Sequence, residues 1–282
     1  MIQLVECPRD AMQGFENFIP TNLKAEYINT LLKVGFHTID FGSFVSPKAI
    51  PQMRDTAEVL SKLNLEGSSS KLLAIVANSR GAEQAASFSE IQYLGYPFSV
   101  YEVFQKRNTN RTIEDSLILV DRMQNLVAKH NKELVVYLSM AFGNPYQEVW
   151  HPDIVAKYTE ILVNMGIRTL ALSDTIGVST KETISRLFSQ LIPEFNEVTF
   201  GAHLHTNLKD WKEKVMAAYL SGCFRFDTAI KGLGGCPMAK DELTGNMPTE
   251  KMLSFLNEQD EESSINPLAF ESAYNKAIEV FR

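Results

Sequence analysis

Two histidines separated by one residue are the feature of this sequence that points most directly to chemistry. His203 and His205 stand at the end of a short apolar run that predicts a β-strand. Side chains two positions apart on a strand point to the same side, so both imidazoles can reach one ligand. A metal ion needs such convergence, but the two rings could equally be hydrogen-bonded within the protein.

Asp10 and Asn246 favour the metal-binding interpretation of these histidines. Asp10 follows the first predicted strand, and Asn246 lies in the segment after the last one. Two imidazoles, a carboxylate and an amide oxygen form a mixed nitrogen and oxygen shell without a thiolate. Such a shell suits Mg²⁺ or Mn²⁺ with open water positions better than a closed zinc site. The sequence therefore predicts that Asp10, His203, His205 and Asn246 bind a divalent metal.

Three more ionisable side chains accompany the ends of predicted strands. Arg9 offers a permanent cation for a developing enolate or a carboxylate, although a structural ion pair with Asp10 is an alternative. Asp40 lies at the end of the second predicted strand, and Asp174 follows the sixth. Either carboxylate could instead cap the N-terminus of a helix, and for Asp174 this alternative is nearly as strong.

A glycine-rich segment, Gly232-Leu233-Gly234-Gly235-Cys236-Pro237, follows the last predicted strand. Glycines adopt backbone conformations that other residues avoid, so this segment can move over a bound ligand. It lacks the GxxxxGK[ST] pattern of a phosphate-binding loop. A buried structural thiol is a further alternative, although Cys236 stands between flexible glycines and a proline. The pattern favours a mobile lid that carries the thiol of Cys236.

Short apolar runs rich in β-branched residues alternate along the chain with segments of helical period. This alternation is typical of βα units and a parallel sheet. Each run is too continuous in apolar residues to face water on one side. The eight predicted strands are Ile2–Glu6, Phe36–Phe41, Leu72–Ala77, Ile91–Pro97, Leu134–Met140, Thr169–Leu172, Val198–Ala202 and Phe224–Ala229.

The predicted helices lie between these strands. The first follows Pro20, places Leu23, Tyr27 and Leu31 on one face, and ends at Gly35. The others are Met53–Leu63, Gly81–Phe88, Ile113–His130, Asp153–Met165, Lys181–Leu191 and Trp211–Leu220. Two more helices, Thr249–Asn257 and Pro267–Phe281, flank an acidic loop at Gln259–Ser264.

The uninterrupted alternation favours an α/β fold that is a closed (β/α)₈ TIM barrel. An open doubly wound sheet gives the same local pattern and is the alternative. We expect a catalytic barrel over residues 1–258 and a C-terminal helical extension over residues 259–282 that packs on it. In such barrels, active sites form where the strands end. The polar residues described above all follow or end strands, so they should meet at one rim.

Composition narrows the class of protein. The 282 residues are 45% hydrophobic and 22% charged, which is ordinary for a soluble globular protein. A net charge of -7 argues against broad nucleic-acid binding, which depends on clustered cations. Three scattered cysteines do not form a disulfide framework, and no apolar stretch reaches the roughly 18 residues of a membrane span. We expect a cytoplasmic protein that binds neither nucleic acid nor membrane.

Several motifs together resemble one family of enzymes. The runs Cys7-Pro8-Arg9-Asp10-Ala11-Met12-Gln13 and Ser43-Phe44-Val45-Ser46-Pro47-Lys48 resemble the opening of 3-hydroxy-3-methylglutaryl-CoA lyases. The likeness extends over about residues 1–258, and the further motifs occur in the order of that family. They are Asn78, Glu102, Asn108, Pro145-Tyr146, Ser173-Asp174-Thr175-Ile176-Gly177, His203-Leu204-His205, the glycine-rich segment with Cys236, and Gly245-Asn246.

The resemblance implies a TIM-barrel metallolyase with an acyl-CoA substrate. It implies that a divalent ion, Mg²⁺ or Mn²⁺, is bound by the four predicted ligands and that Arg9 stabilises an enolate. His203 would also transfer protons, Asp40 and Asp174 would order the site, and Cys236 would act in proton transfer. The implied reaction splits 3-hydroxy-3-methylglutaryl-CoA into acetyl-CoA and acetoacetate. We also expect a homodimer or another homo-oligomer.

The sequence departs from the family pattern at several places but keeps every metal ligand. Asp40 stands where a Glu is usual, which shortens the side chain by one methylene and moves the carboxylate by about 1.5 Å. Ala11-Met12 replaces Gly-Leu, Ser173 replaces Gly, and Thr206-Asn207 replaces Asp-Thr. With these changes, the sequence does not determine which substituent the substrate carries at C3.

Two other functions compete with a lyase. The first is a Claisen-type synthase that resembles isopropylmalate or homocitrate synthases and has the same metal site. The glycine-rich segment with Cys236 and the absence of a long C-terminal regulatory region argue against it. The second is a catalytically idle barrel that serves as a binding protein. The intact set of metal ligands, together with Arg9 and Cys236, argues against that interpretation.

Overall fold

The computed structural model describes residues 2–235 and 244–282, in which eight parallel strands form a closed barrel. The barrel strands are β1 (Gln3–Glu6), β2 (Thr38–Ser43), β3 (Lys71–Ile75), β4 (Ile91–Ser99), β5 (Glu133–Ser139), β6 (Thr169–Ser173), β7 (Thr199–His203) and β9 (Arg225–Thr228). Strand β9 pairs with both β7 and β1, which closes the barrel. The predicted barrel is therefore confirmed, and the open sheet is wrong.

Two short strands and eleven helices complete the described part of the chain. Strands β8 (His205–Thr206) and β10 (Gly245–Asn246) pair with each other in an antiparallel ladder. The helices are α1 (Pro8–Gln13), α2 (Thr21–Leu31), α3 (Thr56–Leu60), α4 (Ser79–Ala86), α5 (Glu102–Thr109), α6 (Ile113–Lys129), α7 (Pro152–Asn164), α8 (Lys181–Glu194), α9 (Trp211–Leu220), α10 (Thr249–Glu258) and α11 (Pro267–Val280). Short 3₁₀ turns occupy Pro51–Met53 and Ile230–Gly232.

All eight barrel strands lie within three residues of their predicted bounds at each end. The predicted helices are also found, although Met53–Leu63 shortens to a 3₁₀ turn followed by α3. Helices α1 and α5 were not predicted. Their sequences carry few apolar residues at helical spacing, so their periodicity gave no signal.

Side chains that alternate along the strands fill the barrel interior and its outer wall. Five of them form a small apolar cluster: Leu73, Tyr93, Val135, Tyr137 and Ala171. A much larger apolar core contains many of the side chains between them in the strands, for example Leu72, Leu94 and Leu170, together with residues of the helices. Both faces of the sheet are thus covered, which is why the strands have continuous apolar sequences.

The C-terminal helix α11 packs against α2 on the barrel. Ala273 and Ala277 are buried at this contact, and the ring of Phe281 lies 5.8 Å from that of Tyr27. The division of the chain into a barrel over 1–258 and an extension over 259–282 stays a prediction. Among the described residues, no helix has both the length and the apolarity that crossing a membrane requires.

Candidate active site

Three of the predicted metal ligands converge where the barrel strands end. Asp10 lies in α1, His203 ends β7 and His205 begins β8. One ligand atom from each side chain lies within 4.8 Å of the ligand atoms from the other two. The ring centroids of the two histidines are 5.5 Å apart. One cation can therefore contact all three side chains.

Asn246 joins this group because β10 pairs with β8. In their antiparallel ladder, Asn246 lies opposite His205. The Asn246 amide nitrogen donates hydrogen bonds to Asp10 Oδ2 at 2.7 Å and to the Leu233 carbonyl oxygen at 2.8 Å. These bonds use both N–H donors of the amide, so its oxygen is the atom left for a cation.

The donor atoms in this cluster fit a hard divalent cation. Carboxylate and amide oxygens with imidazole nitrogens, and no thiolate, match the preferences of Mg²⁺ and Mn²⁺. His205 Nδ1 is buried and lacks a hydrogen-bond partner among residues 2–235 and 244–282. Burial and the neighbouring His203 lower the pKa of His205 to about 4, so near pH 7 this ring is neutral and able to bind a metal.

Arg9 is held beside the cluster by almost all of its hydrogen-bond donors. Its Nε and Nη2 atoms donate to Asp40 Oδ2 at 3.0 and 2.6 Å. Its Nη1 atom donates to Asp10 Oδ1 at 3.0 Å and to Gln13 Oε1 at 2.8 Å. A guanidinium has five N–H donors, so one N–H on Nη2 is left for a substrate oxygen.

The charges of this ion pair follow from burial and mutual attraction. Burial lowers the pKa of Arg9, but Asp40 and then Asp10 raise it, and the net pKa lies above its usual value. Burial raises the pKa of Asp40 to about 6, and Arg9 opposes this rise. Both groups are therefore mainly charged at pH 7. Asp40 lies within β2 and binds Arg9, so the alternative that it caps a helix is wrong.

Asp174 orders a loop beside the site and does not line the cavity. Its carboxylate accepts hydrogen bonds from the Val178 amide at 2.8 Å and from the Ser179 hydroxyl at 2.5 Å. The Lys214 ammonium lies 3.0 Å from Asp174 Oδ2. Thr180, not Asp174, caps helix α8. The helix-cap alternative for Asp174 is therefore wrong, and the side chain positions the segment after β6.

The glycine-rich segment begins close to the candidate metal ligands. Gly234 has a φ of +86°, and a Cβ at this position would lie 2.6 Å from the Asp10 carbonyl oxygen and 2.8 Å from Asn246 Nδ2. Only glycine fits this close approach in a left-handed conformation. The predicted catalytic residue Cys236 lies outside the described residues.

A cavity of about 580 Å³ opens above the cluster. Its lining includes Arg9, Asp10, His203 and His205, together with apolar or small residues in or just after β3 to β6: Ile75, Ala77, Pro97, Tyr137, Ser139 and Ser173. The C-terminal end of α5 and the residues after it add a polar and cationic edge, Arg107, Asn108, Asn110 and Arg111. The cavity lining therefore combines the candidate metal ligands, apolar residues and basic residues.

Several residues that support the candidate metal ligands were not predicted from the sequence. Gln13 donates a hydrogen bond to Asp10 Oδ1 at 2.5 Å as well as accepting one from Arg9. Asp227 Oδ2 lies 3.1 Å from His203 Nδ1. Lys214 contacts Asp174 from α9. A signal was present for Asp227, because its charge interrupts a strand that is otherwise predicted to be buried.

Comparison with known proteins places this geometry in a family. The model of the HMGL-like family matches residues 2–275, which is nearly the whole chain. The chain belongs to this family. Curated relatives include the cytoplasmic 3-hydroxy-3-methylglutaryl-CoA lyase of Rattus norvegicus, which is 31% identical over 259 residues and matches over 91% of this chain and 74% of its own.

Another HMGL-like relative is named for two substrates. The 3-hydroxy-3-isohexenylglutaryl-CoA/hydroxymethylglutaryl-CoA lyase of Pseudomonas aeruginosa is 33% identical over 257 residues, which cover 91% of this chain and 85% of its own. Two solved structures share the fold. The lyase of Bacillus subtilis has a TM-score of 0.92 and 29% identity, with 99% of this chain and 93% of its own covered. The lyase of Acinetobacter baumannii, in complex with coenzyme A and 3-methylmalate, has a TM-score of 0.91 and 26% identity. The match covers 99% of this chain and 91% of its own.

Proposed function

We propose that this HMGL-like protein cleaves 3-hydroxy-3-methylglutaryl-CoA to acetyl-CoA and acetoacetate with the help of one divalent cation. The observation that carries the proposal is the convergence of Asp10, His203 and His205 beside the partly free guanidinium of Arg9. A Claisen-type synthase and an idle barrel are not favoured, since the relatives named above are lyases.

The reaction breaks the bond between C2 and C3 of the acyl group. The C3 hydroxyl loses its proton, the oxygen becomes a ketone, and the electron pair of the broken bond passes to the thioester as an enolate. A proton added at C2 then gives acetyl-CoA. Catalysis therefore needs a base at the hydroxyl, a cation at the thioester oxygen and an acid at C2.

The side chains of the site can be assigned to these tasks. We assign the hydroxyl proton to His203, which can accept it only on a ring nitrogen that is not holding the metal, the charge on the thioester oxygen to Arg9, and the proton that reaches C2 to Cys236. When bound by Asp10, His203, His205 and Asn246, Mg²⁺ or Mn²⁺ would lower the pKa of the C3 hydroxyl and fix its orientation. Asp40 holds Arg9 in place, and Asp174 orders the adjacent loop.

The rest of the cavity fits the remainder of an acyl-CoA. Arg107 and Arg111, at the cavity edge, are suited to the phosphate groups of coenzyme A. The apolar side around Ile75 and Pro97 is suited to the substituent at C3. The apolar residues of the lining make a substituent larger than methyl the second candidate, in keeping with the name of the Pseudomonas aeruginosa relative.

Purified protein incubated with Mg²⁺ or Mn²⁺ and a panel of 3-hydroxy-3-alkylglutaryl-CoA thioesters tests this proposal. We expect acetyl-CoA to form. Its formation should stop when a chelator is added and resume when the metal is added back. His205→Ala should weaken Mn²⁺ binding at least about tenfold, because it removes a ligand with a buried nitrogen. His151→Ala is the matched control, since this histidine is about half exposed and lies outside the cluster.

Three outcomes would contradict the proposal in different ways. Wild-type protein that binds Mn²⁺ but releases acetyl-CoA from no member of the panel is not a lyase of this class. Unchanged Mn²⁺ affinity in His205→Ala would show that the predicted metal shell is wrong. Consumption of acetyl-CoA with a 2-oxo acid would favour the Claisen-type synthase.

We further propose a cytoplasmic location and a homo-oligomer. The rat relative is named as cytoplasmic, while other curated relatives of the family are named as mitochondrial. Leu220 and Phe224 are exposed apolar side chains close in sequence, at the end of α9 and before β9, and they offer a contact for a second copy. Light scattering after size-exclusion chromatography measures the assembly directly, and a monomer at micromolar concentration would contradict it.

A further inference from the structure

Two further buried charged side chains, Asp227 and Arg225, pair with each other, and Asp227 contacts the candidate metal ligand His203. Asp227 is in β9, and its side chain is only 1% exposed. Asp227 Oδ2 lies 3.1 Å from His203 Nδ1, and Asp227 Oδ1 lies 2.8 Å from an Arg225 Nη atom. The carboxylate thus contacts a cation on one oxygen and an imidazole on the other.

This arrangement fixes which nitrogen of His203 carries the proton. A carboxylate that is paired with a guanidinium is ionised and can only accept hydrogen bonds. The nitrogen of His203 that faces it, Nδ1, must therefore be the N–H donor, and in the neutral ring Nε2 then keeps its lone pair. That single lone pair can bind the metal or accept a proton, but it cannot do both at once.

We propose that Asp227 is a positioning residue that holds His203 with Nε2 directed to Asp10 and His205. The inference rests on the proposed metal-dependent function. Tyr137 supports the same orientation, because its ring packs edge-on against His203 with centroids 5.6 Å apart at 87°. Rotation of the imidazole about its χ2 angle would break the hydrogen bond to Asp227 and disturb this packing.

Another use of the same residues is a site for a thiophilic cation. Cys7, His203 and Asp227 offer ligand atoms that also lie within 4.8 Å of one another. The observations favour positioning, because Arg225 brings a buried positive charge to Asp227 and would repel a second cation there. Cys7 Sγ faces the Val5 carbonyl oxygen at 3.9 Å, as expected of a neutral thiol.

A matched pair of variants tests whether the hydrogen-bond acceptor matters. Arg225→Met combined with Asp227→Leu removes the acceptor without leaving a buried unpaired charge. Arg225→Met combined with Asp227→Asn keeps an oxygen that can accept from Nδ1. Calorimetric titration with Mn²⁺ should show affinity about 10- to 100-fold weaker than wild type for the Leu variant, and most of that loss recovered in the Asn variant.

Two results for the variants would overturn the inference. One is Mn²⁺ affinity within threefold of wild type in both variants, and the other is an equal loss in both, which would reflect packing alone. Wild-type protein that bound no Mn²⁺ would overturn it together with the metal site. If wild-type protein bound Mn²⁺ but formed no acetyl-CoA, the proposed reaction would be wrong. The positioning role of Asp227 would not be affected.

Two measurements on folded protein keep the inference testable if the variants do not fold. Nitrogen-15 NMR of the wild-type histidine side chains should show the Nδ1-protonated tautomer for His203 before metal is added, and the opposite tautomer would overturn the inference. Co²⁺ spectra of wild type and Cys7→Ser should be the same. A thiolate-to-metal band lost in Cys7→Ser would make Asp227 a ligand of a thiophilic site instead.

Discussion

Arg9 is almost fully engaged by the protein, which limits what it can offer a substrate. The bonds to Asp40, Asp10 and Gln13 leave one N–H on Nη2. The guanidinium is thereby held rigidly, so little side-chain entropy is lost when a substrate oxygen binds. A single fixed N–H suits one developing oxyanion better than a bidentate carboxylate, which supports the assignment of Arg9 to the enolate.

Cys236 should be needed for turnover but not for folding or metal binding. It belongs to the glycine-rich segment, which lies close to Asp10 and Asn246 at Gly234. A positioned proton-transfer group contributes about 10²–10⁴ in rate, so Cys236→Ala should lower kcat on that scale. The melting temperature and the Mn²⁺ affinity should stay at wild-type values. Near-normal kcat at saturating metal, or a large loss of thermal stability, would remove Cys236 from the mechanism.

The convergence of the candidate metal ligands could be predicted from the sequence, because their spacing and their place after strands carry the information. His203 and His205 share one side of a strand end, whatever surrounds them. The roles of Gln13 and Asp227 could not be predicted in the same way. Gln13 reaches Asp10 only because α1 is helical, and Asp227 meets His203 only because β9 lies beside β7.

Among the elements, the short helix α1 and the short strand β8 position several residues of the site. Helix α1 has six residues and brings Arg9, Asp10 and Gln13 together, since residues three and four apart share one face of a helix. Strand β8 has two residues, and its pairing with β10 brings Asn246 opposite His205. The barrel strands were predictable because both of their faces are buried, whereas these short elements depend on their tertiary partners.

Lys214 connects three elements around the second histidine. From α9, its ammonium lies 3.0 Å from Asp174 Oδ2, after β6, and donates to the His205 carbonyl oxygen at 2.9 Å. Only 3% of the Lys214 side chain is exposed. Lys214→Met would leave Asp174 as a buried anion without its cation. We expect a loss of about 3–5 kcal/mol in the free energy of unfolding and weaker Mn²⁺ binding.

Lys212 offers a matched control on the same helix. Its ammonium lies 2.6 Å from Glu258, but its side chain is 51% exposed. Lys212→Met should therefore change the free energy of unfolding by no more than about 1 kcal/mol, as is usual for surface ion pairs. Urea unfolding of both variants measures the contrast. Similar effects of the two substitutions would contradict a connecting role for Lys214.

On the scale of the whole molecule, the barrel closes where the first strand meets the last. Strand β1 pairs with β9 from Gln3 opposite Arg225 to Glu6 opposite Thr228, so residues more than 200 positions apart lie side by side. Glu6 is fully buried at this junction. Its carboxyl group accepts hydrogen bonds from the Ile230 amide at 2.8 Å and from the Thr249 hydroxyl at 2.6 Å. Glu6 thus ties β1 to the segment after β9 and to α10.

Glu6 should therefore make the stability of the whole barrel depend on pH. Burial raises its pKa from 4.5 to about 8, so the folded protein keeps a proton that the unfolded chain releases above pH 4.5. The contribution of Glu6 to stability is then full below pH 4.5 and declines as the pH rises to about 8. Glu6→Gln, which stays neutral, should lack this decline. Calorimetry from pH 5 to 9 should show the melting temperature of the variant rising relative to wild type as the pH increases. A constant difference between the two proteins would mean that Glu6 is ionised in the fold.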